Sequence, residues 1–328
     1  MNIPKVAFYW NASCGGCEEA FIDLAEKLLP ITERIDIVFW PVAIDAKRSD
    51  IESLKSGEIF VSFINGSIRM SEQIEMVELL REKSQIIVAF GSCAHIGGIP
   101  GLANFYDRES ILECIYRGQP TVDNPNGDIP KEISEIEGKK LYLPRFMDTV
   151  KTLDQVIDVD YYLPGCAPPP DIIIDAFEAI LRGNLPDKGT VFASSKSLCD
   201  TCPRNDTKPE KMSIEDIRRV DEITPDSDRC FLADGLICFG PATRSGCGER
   251  CINANMPCRG CFGPIEGVKD HGARILAFIS SILGVENEEN IDEDELERMI
   301  QKLLDPGGLF YMYSLPSSML KRKNTGKG

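Results

Sequence analysis

Short apolar runs alternate with amphipathic stretches through the first 185 residues. Val6–Trp10, Ile35–Val42, Ile59–Ile64, Ile86–Phe90 and Val159–Leu163 have the length and the β-branched or aromatic character of strands. Between them, Phe21, Leu24, Ala25, Leu28 and Leu29 recur with a helical period, as do the apolar positions of Ser71–Lys83 and Asp171–Leu181, the last halted at Gly183. Strands alternating with helices predict an α/β domain over residues 1–185, a parallel sheet covered by helices on both faces. One stretch breaks the rhythm. Gly118–Arg145 is rich in Pro, Gly, Asn and Asp and reads as a long surface loop whose length suits a binding role.

After Pro186 the periodicity fades, and residues 186–328 read as a second domain, small, irregular and partly helical. Residues 186–265 carry eight cysteines among many Gly and Pro, too little apolar pattern to build a core unaided. Metal clusters can tie such a segment together, because their binding free energy becomes folding free energy. Two amphipathic helices, Gly272–Leu283 and Glu293–Leu304, are predicted to cover it, and the tail from Leu320 to Gly328 reads as mobile.

Length and charge narrow the classes. At 328 residues there is room for two domains with a real core. A net charge of −16 argues against nucleic acid or an anionic membrane surface as partner, since both repel acid. Some of that acid is local, in a solvated loop and helix face over Glu286–Glu297. The first residues show no basic or apolar leader and no twin arginine, and the apolar run Ala273–Val285 is shorter than the ~20 residues of a spanning helix, so a cytoplasmic protein without a membrane span is expected. In a reducing cytosol, thirteen cysteines beside two histidines point to metal ligation rather than disulfides.

Cys14, Cys17, Cys93 and Cys166 each lie in a loop that follows a predicted strand, and ligands of an open parallel sheet sit beyond the carboxyl ends of its strands. Four thiolates gathered there fit a [4Fe–4S] cluster or a zinc ion, and the two extra strand-end cysteines beyond a lone Cys-x-x-Cys favour the cluster. The other eight, Cys199, Cys202, Cys230, Cys238, Cys247, Cys251, Cys258 and Cys261, divide into two fours, and spacing alone leaves zinc open for them. Cys114 sits on a predicted helix and reads as a buried apolar thiol. His95 and His271 lack partners at metal-ligand spacing and read as packing or capping residues. Glu18 and Glu19 follow Cys17 as a helix N-terminus favours, the sharper alternative being a proton-handling carboxylate beside the cluster.

Cys14-x-x-Cys17, GSCAHIGGIP (91–100), LPGCAPPP (163–170) and the eight-cysteine block together resemble the small subunit of [NiFe] hydrogenases, in the family's order and over most of the chain. The resemblance implies a flavodoxin-like first domain and three [4Fe–4S] clusters. It places the proximal cluster on Cys14, Cys17, Cys93 and Cys166, the distal on Cys199, Cys202, Cys230 and Cys238, and the medial on Cys247, Cys251, Cys258 and Cys261. It implies no catalytic residue on this chain, whose part is to relay electrons from the nickel–iron site of a separate large subunit. Exported members have histidine where this chain has Cys199, and often proline near the position of Cys251 with a [3Fe–4S] medial cluster. Thiolates at both places imply three low-potential clusters. The segment LICFGPATRSGCGERCINANMPCRGCFGP (236–264) is similar to the methylviologen-reducing hydrogenase of methanogens, which implies a [2Fe–2S] adaptor subunit and heterodisulfide reductase as onward partners.

Three rivals stand beside this reading. A coenzyme-reducing hydrogenase or sulfhydrogenase small subunit shares much of the pattern. A quinone-linked respiratory subunit would have adjacent cysteines in place of Cys14-x-x-Cys17 and would lack the eight-cysteine block. A zinc-stapled binding module of no enzymatic role would use the same thiols for structural ions.

Overall fold

In the computed structural model, which describes residues 3–283 and 293–322, the chain forms nine strands. They are β1 (Lys5–Trp10), β2 (Asp36–Phe39), β3 (Ile59–Asn65), β4 (Ile68–Met70), β5 (Ser84–Phe90), β6 (Ile133–Ile136), β7 (Lys139–Tyr142), β8 (Phe146–Lys151) and β9 (Tyr161–Leu163). Five make one sheet in the order β2-β1-β3-β5-β9, and all four of its ladders are parallel. Counted within the sheet this is the flavodoxin order 2-1-3-4-5, with its switch point between β1 and β3.

Alternation along the strands splits the apolar residues between two faces. Val6, Phe8, Val61, Phe63, Val88 and Phe90 join one buried cluster, covered by the helices Gly16–Ile22 and Pro170–Arg182. Ala7, Ile64, Ile87 and Ala89 join another on the opposite face, covered by the helix Ser71–Lys83 through Met76, Val77 and Leu80. Because both faces are buried, the strands read as continuous apolar runs, which is why the sequence shows them so clearly. The first cluster is aromatic at its centre: the rings of Phe63 and Phe177 stack at 4.4 Å, and Phe8 lies 4.7 Å from both Phe21 and Trp40.

Helix limits follow the chemistry of their ends. Pro170 occupies the first turn of Pro170–Arg182, and Gly183 closes it in the left-handed region at φ 70°. The helical period at Phe21–Leu29 is interrupted. A helix over Gly16–Ile22 gives way to a single 3₁₀ turn at Ala25–Lys27 and a short helix at Leu28–Thr32. The break falls at Ala25, whose φ of 50° is left-handed, and Pro30 is tolerated in the first turn of the next helix, where its missing N–H is not needed.

Gly118–Arg145 is not wholly irregular. Residues 133–142 form the antiparallel hairpin β6–β7, turned by Glu137 and Gly138, both at positive φ. The hairpin is exposed, so no buried face marks its strands in the sequence. Cys114 corrects a second expectation. It lies in one turn of π-helix, Cys114–Gly118, that buries no residue, and its thiol is exposed beside the Gln119 amide at 3.1 Å. The segment rides on the surface beyond the sheet, with no layer above it to bury that thiol.

From residue 186 onward the backbone consists mostly of single turns around a separate apolar cluster of Phe231, Leu236, Phe239, Ile252, Phe310 and Leu315. The helix His271–Ile282 adds Ile275 and Ile279 to it, and a helix Glu293–Gln301 follows. The acidic stretch at 284–292 and the tail from 323 lie outside the described residues. Phe262 reaches into the first cluster, with Cys247 and Cys261 packed against it. Among the described residues no helix is long and apolar enough to cross a membrane.

Truncating Phe177 removes the ring that stacks on Phe63 and contacts Phe8 and Phe21. Phe177→Ala is therefore expected to cost about 3–5 kcal/mol, read as a fall in the urea midpoint without loss of parallel-sheet signature in circular dichroism of the folded fraction.

Candidate metal centres

Beyond the carboxyl ends of β1, β5 and β9, three loops present Cys14 and Cys17, Cys93, and Cys166. The ends of β3 and β4 support the first of them: Asn11 and Ala12 pair with Asn65 and Ser67 through main-chain bonds of 2.9 Å. Two glycines are dictated by sulfur. A Cβ on Gly91 would lie 2.3 Å from Cys17 Sγ, and one on Gly98 would lie 2.4 Å from Cys93 Sγ, both at positive φ. The four thiols lie in one another's field. Burial raises the Cys17 thiol far above the ordinary range, and Cys93, Cys166 and Cys14 add to the effect. Burial pushes Cys93 up to about 12, reinforced by Cys166 and Cys14 and opposed by the Ile99 N–H.

Cys199, Cys202, Cys230 and Cys238 line one small cavity with Leu198, Phe231, Leu232 and Ile252. Cys238 is pushed up to about 12 by burial and by Cys199 and Cys230, against hydrogen bonds from the Gly240 and Cys258 amides. Cys199 is raised by burial and by Cys230 and Cys202, with Lys208 opposing. Cys247, Cys251, Cys258 and Cys261 make a third set. Cys261 is pushed up to about 12, first by burial, with Cys251 and Cys247 contributing, and Cys247 is raised by burial and by Cys251. Cys258 is held well above the thiol range by burial, with Cys238 and Cys261 next to it. All thirteen cysteines are free thiols, and among the described residues no three of His, Cys, Asp or Glu stand close enough to hold a single ion.

Contacts join the third set to each of the other two. Cys166 of the first set lies in the field of Cys261 of the third. The Cys258 N–H of the third donates to Cys238 Sγ of the second at 3.4 Å. Ser92, beside Cys93, fixes the first joint by donating its hydroxyl to the Cys261 carbonyl at 2.5 Å.

Residues 14–180 match the family model described as the 20 kDa subunit of NADH ubiquinone oxidoreductase, from the first cysteine loop to the helix Pro170–Arg182. The iron-sulfur subunit of the F420-non-reducing hydrogenase of Archaeoglobus profundus is 39% identical over 97% of this chain and 98% of its own. The chain belongs to the family of F420-non-reducing hydrogenase iron-sulfur subunits. The corresponding subunit of the F420-non-reducing hydrogenase of Methanothermobacter marburgensis is 36% identical over 99% of this chain and 98% of its own. A solved NAD+-reducing [NiFe]-hydrogenase chain covers 56% of this one at 28% identity, with a TM-score of 0.49. The expected kinship with the small subunits of methanogen hydrogenases is thus borne out, and with it an oxidoreductase subunit that works beside a large subunit. The match to the respiratory model stops at residue 180, so the eight-cysteine part of this hydrogenase subunit lies outside it.

Other residues singled out in the sequence of this hydrogenase subunit divide by burial. Glu19 is exposed on the first turn of its helix. Glu18 turns inward, accepts hydrogen bonds from the Trp40 indole and from Asn65 Nδ2 at 2.6 Å, and is raised by desolvation that outweighs both donors. His271 is buried and His95 half-buried, and both are held neutral, lowered to about 4 and about 3 by desolvation; His271 Nε2 lies 3.1 Å from Thr243 Oγ1, and the His95 ring tilts against that of Tyr162 at 4.8 Å. Both serve packing, as their isolation in the sequence suggests. Trp40, Asn65 and Ser92 carried no signal, being ordinary strand-end and loop residues that only the fold brings to the cysteines.

An exposed Cys114, remote from the three sets in its contacts, gives a direct check on the grouping. Cys114→Ala is expected to leave metal content unchanged and stability within about 0.5 kcal/mol of wild type, and Cys114 should be the first thiol alkylated in the native protein.

Proposed function

We propose that the three sets each hold a [4Fe–4S] cluster: proximal on Cys14, Cys17, Cys93 and Cys166; medial on Cys247, Cys251, Cys258 and Cys261; distal on Cys199, Cys202, Cys230 and Cys238. Such a cluster, when bound, supplies a one-electron site. The residues fit the group. Buried thiols that repel one another when ionised need a cationic core among them, and their amide donors, such as those of Gly240 and Cys258 at Cys238, suit the sulfur of a thiolate.

The observations that carry the reading are the Cys258 N–H contact to Cys238 Sγ at 3.4 Å and the Ser92 hydroxyl contact, beside Cys93, to the Cys261 carbonyl. They support the order proximal, medial, distal, although the distal ligands come second in the chain. The proximal set faces the open carboxyl edge of the sheet, with Cys14 and Cys166 exposed, where a large subunit bearing nickel and iron can approach. From the distal set electrons would pass to a [2Fe–2S] adaptor subunit and on to heterodisulfide reductase. Relatives named as F420-non-reducing favour that route over a coenzyme-reducing one. With thirteen free thiols and no membrane-crossing helix among the described residues, we infer that the complex works in the cytoplasm.

Metal analysis tests the base of the proposal: about twelve irons with matching acid-labile sulfide per chain are expected from three clusters, and zinc without iron would overturn it. Cys14→Ser or Cys166→Ser should abolish hydrogen-dependent dye reduction while hydrogen-isotope exchange at the large subunit continues. Dye reduction near the wild-type rate would contradict the proximal assignment.

Cys251 is exposed, on the four-residue helix Arg250–Asn253, whereas Cys258 is buried. Replacing it should therefore remove one corner of the medial cluster without disturbing the packing. Cys251→Ala is expected to give a [3Fe–4S] signal in the EPR spectrum of the oxidised protein, absent from wild type. Output to a low-potential acceptor should drop more than output to a high-potential dye. Full iron with an unchanged spectrum would show that Cys251 is no ligand.

A further inference from the structure

The loop that carries Cys93 has little of its own to hold it. Ser92–Ile96 is a helix of five residues, too short to stand alone, and it runs into Gly97 and Gly98, both at positive φ. The entry of the loop is tied down close by, where the Gly91 and Ser92 N–H groups donate to the carbonyls of Leu163 and Gly165 at 2.8 and 2.9 Å. Its exit is held from the other half of the chain. The Gly98 N–H donates to the Tyr313 carbonyl at 2.8 Å.

Three residues on, Pro316 fills a seat cut by two glycines. A Cβ on Gly97 would lie 2.3 Å from the proline ring, and one on Gly101 would lie 2.5 Å from it. Pro316 is buried, and its carbonyl accepts from Gln155 Nε2 at 2.8 Å. Farther along, the Lys321 carbonyl accepts from Asn104 Nδ2 at 2.8 Å, and Arg322 Nη1 donates to Thr149 Oγ1 at 3.0 Å. The same segment is rooted in the second half. Leu315 belongs to the apolar cluster there, and the Met319 N–H donates at 3.0 Å to Asp270, which caps the helix His271–Ile282. Residues 313–322 thus strap the second half across the exit of the Cys93 loop.

Gly98 passes this constraint to sulfur, because a Cβ on it would meet Cys93 Sγ at 2.4 Å and Cys93 Cα at 2.8 Å. A loop held at one end lets its thiol wander, and a loop held at both ends presents it at one place. Resting on the cluster assignment above, we propose that the strap 313–322 is a positioning element of the proximal cluster, with Pro316 as its key. The second half then completes a site whose four ligands all lie in the first. No residue of the strap is a ligand; it acts on Cys93 through Gly97, Gly98 and Gly101.

Gly101 offers the test, because its φ is ordinary and the three atoms nearest an added methyl all belong to Pro316. The complete hydrogenase is used, after iron and sulfide analysis of the wild type. Gly101→Ala in this chain should unseat the proline, losing the proximal EPR signal and about four of about twelve irons while the medial and distal signals stay. Hydrogen-dependent dye reduction should be lost with it. Adding Pro316→Ala removes the ring atoms that the methyl strikes, and the double variant should regain the iron, the proximal signal and dye reduction. Full iron with a wild-type proximal signal in Gly101→Ala overturns the strap's role, and so does a loss that Pro316→Ala fails to repair. If Gly101→Ala alone does not fold, Pro316→Ala alone is titrated: a shifted proximal potential with the medial and distal ones unmoved supports the role, and no shift overturns it. Zinc in place of iron in the wild type overturns the cluster assignment, and this role with it.

Discussion

Buried sulfur is the constraint on which the rest depends. Cys17, Cys93, Cys238, Cys258 and Cys261 are each pushed far toward the neutral thiol, by burial first, with neighbouring sulfurs of their own or an adjoining set adding to it. As thiolates they would repel one another in a poor dielectric, and an unpaired buried charge is among the costliest things a fold can hold. A cationic core removes that penalty and turns it into stability, so ligand binding and folding are one event in the part of the chain that has little else. The many amide donors aimed at sulfur, at Cys93, Cys238, Cys258 and Cys261, act in the same direction.

The two halves meet this constraint by different means. In the first, a parallel sheet with both faces buried fixes strand ends rigidly, and the cysteines need only occupy the loops beyond them. Four thiols scattered over more than 150 positions are thereby brought into one field. In the second, the backbone is mostly single turns, and the apolar cluster around Phe231 and Phe239 interleaves with Cys230, Cys238 and Cys258 themselves. Its charge is nearly balanced, while most of the net −16 resides in the first 185 residues. In so balanced a surface a single fixed charge such as Lys208, which lines the cavity of Cys199, Cys202, Cys230 and Cys238, has local weight it would lack in a crowd of acids.

What the sequence discloses follows from periodicity and burial. The five sheet strands, the helix Ser71–Lys83 and the helix ending at Gly183 are legible because two buried faces write themselves into the chain as long apolar runs. The hairpin β6–β7 is not, because exposed strands need no apolar face, and only its Glu137-Gly138 turn marks it. Cys114 misleads because apolar Ile111, Leu112 and Ile115 surround it in sequence, yet none of the three is buried. The cysteine groups are legible from strand-end position and family pattern. Their electrostatic dressing is not: Glu18 and Glu19 are indistinguishable as letters, and only the fold turns one inward to Trp40 and Asn65 and leaves the other in water.

The proposed order of the three sets along the relay differs from their order in the chain, and a single turn lies at the joint. Gly260 at φ 89° lets the backbone reverse between Cys258 and Cys261; a Cβ there would meet His271 at 2.8 Å and Phe239 at 3.0 Å. Across that reversal the Cys258 N–H meets Cys238 Sγ on one side, and on the other the Cys261 carbonyl accepts the Ser92 hydroxyl beside Cys93. One four-residue loop thus touches both neighbouring sets, which neither the Cys14–Cys17 loop nor the Cys199–Cys202 loop does through any sulfur contact described. In the proposed relay the middle station has to reach both ends, which suits the last cysteine pair in the sequence. His271 and Phe239, both buried, are the walls that hold its turn.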